Sequence, residues 1–118
     1  MYSYFYVGNS QSGKLAISSF AFSQIAESTL DSLVTNGDLK DAIALKDGKK
    51  KCKVTTDIDK NKKVTVTVQV IGIRGADIDS AVTRIQKEVF TNIYDVTEIS
   101  ALKVNVSVLA VVDKTNEK

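Results

Sequence analysis

Histidine is absent from the 118 residues, and cysteine occurs once. Without histidine the chain lacks both the usual general base near neutral pH and the commonest metal ligand. Catalysis would then have to rest on displaced carboxylates, a lysine or Cys52. A single cysteine excludes an internal disulfide, so nothing in the fold depends on an oxidising compartment and a cytoplasmic address is the default expectation. No run approaches the roughly 18 apolar residues of a spanning helix. Met1 to Val7 has neither the basic region nor the long apolar run of a secretory signal. Any membrane role would be peripheral.

What is present is an ordinary globular composition, 43% hydrophobic and 25% charged, in a length that suits one domain. The second half is the most legible. Val64, Val66, Val68 and Val70 alternate with Thr65, Thr67 and Gln69, and Leu102, Val104, Val106 and Val108 alternate with Lys103, Asn105 and Ser107. Between them Ile78, Val82, Ile85, Val89, Ile93 and Val96 recur at spacings of three and four. Period two, then 3.6, then two predicts strand, helix, strand sharing one buried face. Gly72 to Gly75 is expected to break the first of these strands, and Ala76-Asp77 to open the helix. Its outer face carries Thr83, Arg84, Lys87, Glu88, Thr91 and Asp95, with Arg84 and Glu88 one turn apart as a supporting pair.

The first half is less regular. Tyr2, Tyr4 and Tyr6 alternate with Ser3 and Phe5 in a short strand or ordered arm ending at Gly8. Asn9 to Gly13 reads as a polar turn and Lys14 to Ile17 as a brief extended stretch. Ser18 or Ser19 can cap a helix whose stripe is Phe22, Ile25, Ala26, Thr29, Leu30 and Leu33. Asn36-Gly37 is expected to close it, glycine supplying a left-handed residue. Asp38 to Lys51 is the least readable segment: Asp38 to Ile43 could be a helical turn or an irregular crossing, and Asp47-Gly48 is a turn signal. Cys52, Val54, Thr56 and Ile58 then alternate through a half-buried strand, joined by Asp59-Lys60-Asn61-Lys62 to the valine strand.

The expected fold is therefore α+β, order β-α-β-β-α-β, with two helices on one face of a three- to four-stranded mixed sheet and the other face solvated. Residues 1–12 form an aromatic arm, 13–112 the domain and 113–118 a polar tail. Leu109, Val111 and Val112 break the alternation of the last strand and put apolar groups on both faces, which makes them candidate self-contact positions.

Other candidates weigh less. Cys52 sits at an inward position with no base partner, and a buried inert thiol is the favoured reading. Asp77 and Asp79 resemble a carboxylate pair, but at the start of a helix they cap amides and complement its dipole. Lys46, Lys49, Lys50, Lys51, Lys53, Lys60, Lys62 and Lys63 are eight of the sixteen basic residues, gathered between positions 46 and 63. With Arg74 they could meet phosphates, acidic lipids or a partner's carboxylates; the plainer reading is a solvated edge protected from aggregation. Gly72-Ile73-Arg74-Gly75 has the spacing of the backbone clamp of KH domains. Because it follows a strand pattern directly, a strand-to-helix turn is favoured, and RNA binding is kept as the alternative.

Gly13-Lys14-Leu15-Ala16-Ile17-Ser18 ahead of Ile25-Ala26, the valine strand ending in Ile71-Gly72, and Ile78 with Ile85-Gln86-Lys87-Glu88-Val89, Thr97 and Val104-Asn105-Val106-Ser107-Val108 resemble the alkaline shock protein family of Gram-positive bacteria. The likeness spans roughly residues 13 to 112. It lies chiefly in a helix with a Gln-x-x-Val step followed by a strand with a Val-Asn-Val core. The resemblance implies a non-enzymatic cytoplasmic protein of cell-envelope stress and homeostasis, self-associating, with no cofactor, and held near the membrane in some members by a separate anchor protein. Tyr2 to Tyr6 and the lysine-rich segment from Val34 to Lys51 depart from the family pattern.

Overall fold

A computed structural model describes residues 4–10, 13–99 and 101–113, with side chains from residue 17 onward. The chain is α+β, and its centre is the valine strand, β7 (Val64–Ile73). On one side β7 pairs antiparallel with β6 (Lys53–Ile58) and, further along, with the two-residue β3 (Ile43–Ala44). On the other side it pairs in parallel with β8 (Leu102–Val112) through the crossover helix α2 (Ile78–Thr97). Parallel neighbours need such a crossover, whereas β6 and β7 are joined by a tight hairpin.

Both helices lie on one face, α1 (Ser19–Thr35) over β6 and α2 over β8. Val64, Val66, Val68 and Val70 are fully buried under Phe22, Ala26, Leu30, Ile85, Val89 and Ile93. Each such side chain contributes on the order of 1.5–3 kcal/mol relative to exposure. Two polar bridges fix the layers. Ser23 and Thr56 share a 2.8 Å hydrogen bond between α1 and β6. Asn92 of α2 donates to Thr29 Oγ1 at 2.8 Å, and that hydroxyl donates in turn to the Ile25 carbonyl.

The N-terminal strand stays out of this sheet. β1 (Tyr4–Ser10) and β2 (Gly13–Ser18) form their own antiparallel hairpin, and β2 runs straight into α1. The expected boundary between an arm at 1–12 and a domain at 13 therefore falls inside one hairpin. The fourth strand of the main sheet is β3 instead. Tyr2, Ser3 and the tail from Lys114 onward lie outside the described residues.

Four local expectations are corrected. Gly72 does not end β7: it pairs with Ile43 on one side and Val111 on the other, and the chain turns at Gly75, whose φ is +89°. What Gly72 supplies is clearance, since a Cβ there would lie 2.8 Å from Ile78 Cδ1. Gly37 likewise closes α1 by close approach and without a positive φ, a Cβ there lying 2.7 Å from the Leu33 carbonyl oxygen. In α2 the buried row is Ala81, Ile85, Val89, Ile93 and Thr97, while Val96 is 69% exposed. Thr97 can be buried because its hydroxyl donates to the Ile93 carbonyl and accepts from the Ile99 amide.

The fourth correction concerns the second sheet face. Thr65, Thr67 and Gln69 are half-buried as a partly solvated face would have them, yet Ile71 and Ile73, which share their side by alternation, are 0% and 9% exposed. That end of the face carries a small apolar patch. Ala44, Gly48, Ile73 and Val112 line one cavity there, with Lys46 and Asp47 of the hairpin formed by β4 (Lys46–Asp47) and β5 (Lys50–Lys51).

Candidate interaction surface

The positive residues gathered in sequence are separated in space. Lys49 sits at the turn of the β4–β5 hairpin, whose first residue Gly48 has φ +63°, and Lys50 and Lys51 form its second strand. Lys60, Lys62 and Lys63 lie at the opposite end of β6, in the connection to β7. That connection is organised by Asp59, whose Oδ1 accepts from the amides of Asn61 and Lys63 at 2.8 and 2.9 Å. Lys62 closes it at φ 65°. Arg74 stands past the far end of β7 and is held by Asp113 at 2.7 Å. Ten residues of β7 separate Lys63 from Arg74, roughly 33 Å of strand. The hairpin lysines and the connection lysines thus face different ends of the sheet.

Gly72 to Gly75 joins a strand to a helix. Asp77 caps α2, its Oδ1 accepting from the Ser80 amide at 3.2 Å and its Oδ2 from the Ser80 hydroxyl at 2.8 Å. These bonds, the hydroxyl first, lower the Asp77 pKa below the ordinary carboxylate value. Asp79 lies in the same first turn. Arg84 is pinned by Asp38 at 3.0 Å and Glu88 at 3.2 Å, and both raise its pKa.

Cys52 is half-buried in the gap between β5 and β6, donating to the Ala44 carbonyl at 3.2 Å. Burial pushes its pKa up, partly offset by a backbone hydrogen bond with Ile71. It borders an open cleft under α1, with Leu30, Leu45 and Val54 on its walls and Glu27, Asp31, Lys46 and Lys51 at its rim. Among the described residues no three acidic, thiol or imidazole groups converge to hold a metal ion. No helix among them is long and apolar enough to cross a membrane.

The last strand is where the surface is least finished. Among the described residues no strand pairs with the outer side of β8, which is eleven residues long. Val108, Leu109 and Val111 are 40%, 45% and 46% exposed. The broken alternation has a single cause: Val108 opposes Val70 and Ala110 opposes Ile71, so Leu109 is the extra residue of a β-bulge. Of the three expected self-contact positions, Leu109 and Val111 are exposed, while Val112 is half-buried beside Ile73.

Sequence reasoning missed the flank that stands beside this edge. Arg84, Glu88 and Asn92 mark one side of α2, reaching Asp38 and α1. A helix turns by 100° per residue, which puts Val82, Gln86 and Phe90 on the other side, over β8. Gln86 reaches the Val104 carbonyl at 3.4 Å, and Phe90 stacks on Tyr94 with ring centres 6.4 Å apart. Phe90 and Tyr94 are 36% and 43% exposed. The available signal was an aromatic pair at spacing four on a face otherwise read as polar.

No protein-family profile, no curated protein and no solved structure matches the chain.

Proposed function

We propose that this chain is a non-enzymatic scaffold module of the cell-envelope stress type, acting in the cytoplasm by self-association and brought near the membrane by a separate anchor protein. The observation that carries the self-association is the outer edge of β8: eleven residues with no strand partner among the described residues, apolar side chains exposed at its far end, and an aromatic pair on the helix above it. Such an edge is a template for pairing with another chain unless it is shielded. The stress role and the anchor rest on the resemblance to alkaline shock proteins.

RNA binding has weaker support. A phosphate-tracking surface needs its cations side by side, whereas Lys49 to Lys51 and Lys60 to Lys63 sit at opposite ends of β6.

Sedimentation velocity across a wide concentration range tests the reading, with Leu109→Asp/Val111→Asp as the variant and nuclease-treated protein as the control. Wild type should sediment faster as concentration rises, with or without nuclease, and the double variant should remain smaller. A monomer at every concentration would remove the scaffold reading. Nuclease-sensitive mass, with RNA affinity falling steeply in salt, would favour the alternative.

A further inference from the structure

Resting on the self-association just proposed, we infer that the partner of the β8 edge is a second copy of the same strand, antiparallel about a two-fold axis at Asn105. Backbone direction and side-chain polarity together restrict the pairing to like against like, and the bulge fixes its centre. The Ala101 carbonyl accepts from the Val64 amide, so Ala101 points toward β7. Backbone groups alternate along a strand, so Lys103, Asn105 and Ser107 also point inward, and Leu102, Val104, Val106 and Val108 turn their N–H and C=O outward. The Gln86 contact to the Val104 carbonyl agrees. Beyond Leu109 the phase shifts, and Val112 again points inward to the Arg74 amide.

The regular outward edge is therefore Leu102 to Val108, bounded by the bulge. Antiparallel pairing must set outward residues against outward residues and keep matching faces together. With Asn105 opposite Asn105 of the second copy, Leu102 meets Val108, Val104 meets Val106 and Lys103 meets Ser107. Every outward donor and acceptor of the segment is used. On the helix-covered face all pairs are apolar; on the other all are polar. No two like charges stand opposite each other. Shifting by one residue sets apolar against polar throughout, and shifting the axis to Val104 or Val106 strands Val108 or Leu102.

A two-fold normal to the sheet keeps both α2 helices on the same face, so the Val82, Gln86 and Phe90 flanks meet above the seam. The seam is roughly 23 Å long and, with one strand and one helix flank stacked, roughly 15–20 Å deep. That is roughly 700–900 Å2 in total, below the size of a standard stable interface and suited to a weak, exchanging dimer. It leaves Leu109 and Val111 beyond the bulge, the β6 edge and the N-terminal hairpin free for further contacts, so the Leu109→Asp/Val111→Asp variant should stop at the dimer while wild type grows beyond it.

Cysteine crosslinking reads the register directly. In a Cys52→Ala background, Asn105→Cys should oxidise to a disulfide-linked dimer, since a non-hydrogen-bonded antiparallel pair brings Cα atoms to about 4.5 Å, within disulfide range. Lys103→Cys and Ser107→Cys should each remain monomeric alone and form a mixed dimer when combined, which keeps the test available if the Asn105 variant folds poorly. Thr67→Cys on the central strand sets the background of random crosslinking. Val106→Pro, which deletes an outward amide and no bond to β7, should weaken self-association by about tenfold or more. If wild type self-associates but neither Asn105→Cys nor the mixed pair exceeds the Thr67→Cys background, the register is wrong and the scaffold reading stands. Protein that is monomeric throughout contradicts both. Protection of the outward amides only on adding RNA or anionic vesicles gives the edge to another occupant and overturns the inference.

Discussion

The two edges of the main sheet are built differently. On one side of β7 the pairing is shared by β6, six residues, and β3, two residues, with the β4–β5 hairpin and Cys52 between them. β6 carries Lys53 and Asp57, and charges and short lengths are the usual means of discouraging edge-to-edge association. On the other side β8 runs for eleven residues with one lysine, interrupted only by the bulge at Leu109. The guarded edge shows that this sequence can protect a strand. The open edge is then read as a surface kept available, while Lys46, Lys49, Lys50, Lys51 and Lys53 lie on or beside the guarded edge and Lys60, Lys62 and Lys63 in its connection to β7.

The comparison can be broken hardest at what both edges share. Ile85→Ala empties a fully buried position between α2 and β7 and should cost about 2–5 kcal/mol by chemical denaturation, destabilising both sides together. Gly72→Val, at the residue that joins β3 to β8 across β7, would drive its side chain into Ile78. It should cost about 1–3 kcal/mol.

A pair of prolines then separates inward from outward groups on β8. Asn105→Pro removes a bond to β7 and should cost about 3 kcal/mol or more, whereas Val106→Pro keeps every bond to β7 and should cost about 1–2 kcal/mol, from the contact its half-buried side chain makes with the core. Equal losses in equilibrium unfolding would contradict the assignment of β8's directions. On the guarded side, Asp59→Ala unmakes two amide contacts of the β6–β7 connection and should cost about 1 kcal/mol. Lys62→Gly relieves a left-handed backbone and should raise the melting temperature, by about 0.5–1 kcal/mol of stability, without touching self-association.

The smallest effect is one of pH. Asp77 has a folded pKa below its unfolded value, so its contribution is present above pH of about 4 and is lost as pH falls through the folded value. Asp77→Asn should flatten that acid limb slightly, visible in unfolding curves between pH of about 2 and 5.

The strands and α2 were legible because their apolar spacing matches a single buried face: Val64, Val66, Val68 and Val70 with Ile85, Val89 and Ile93 are buried as their periods require. Val96 misled because two residues one apart at the helix end compete for the core. The winner, Thr97, is polar but bonds to its own helix. Gly72 and Gly37 misled because glycine signals both turns and close approaches: neither has a positive φ, and each has a neighbour 2.7–2.8 Å from where a Cβ would stand. Residues 34–51 were opaque for another reason: β3, β4 and β5 are two residues each, too short for a period to register. The apolar end of β8 was visible from composition, but its bulge was not, since the extra residue is defined by register with β7.

Amide hydrogen exchange by NMR, followed from low micromolar to millimolar protein, tests the open edge most directly. The amides of Lys103, Asn105 and Ser107 should be protected at every concentration by their bonds to β7, and those of Leu102, Val104, Val106 and Val108 should exchange quickly when dilute and become protected as copies pair. Outward amides that exchange at the same rate across the whole range would contradict the account.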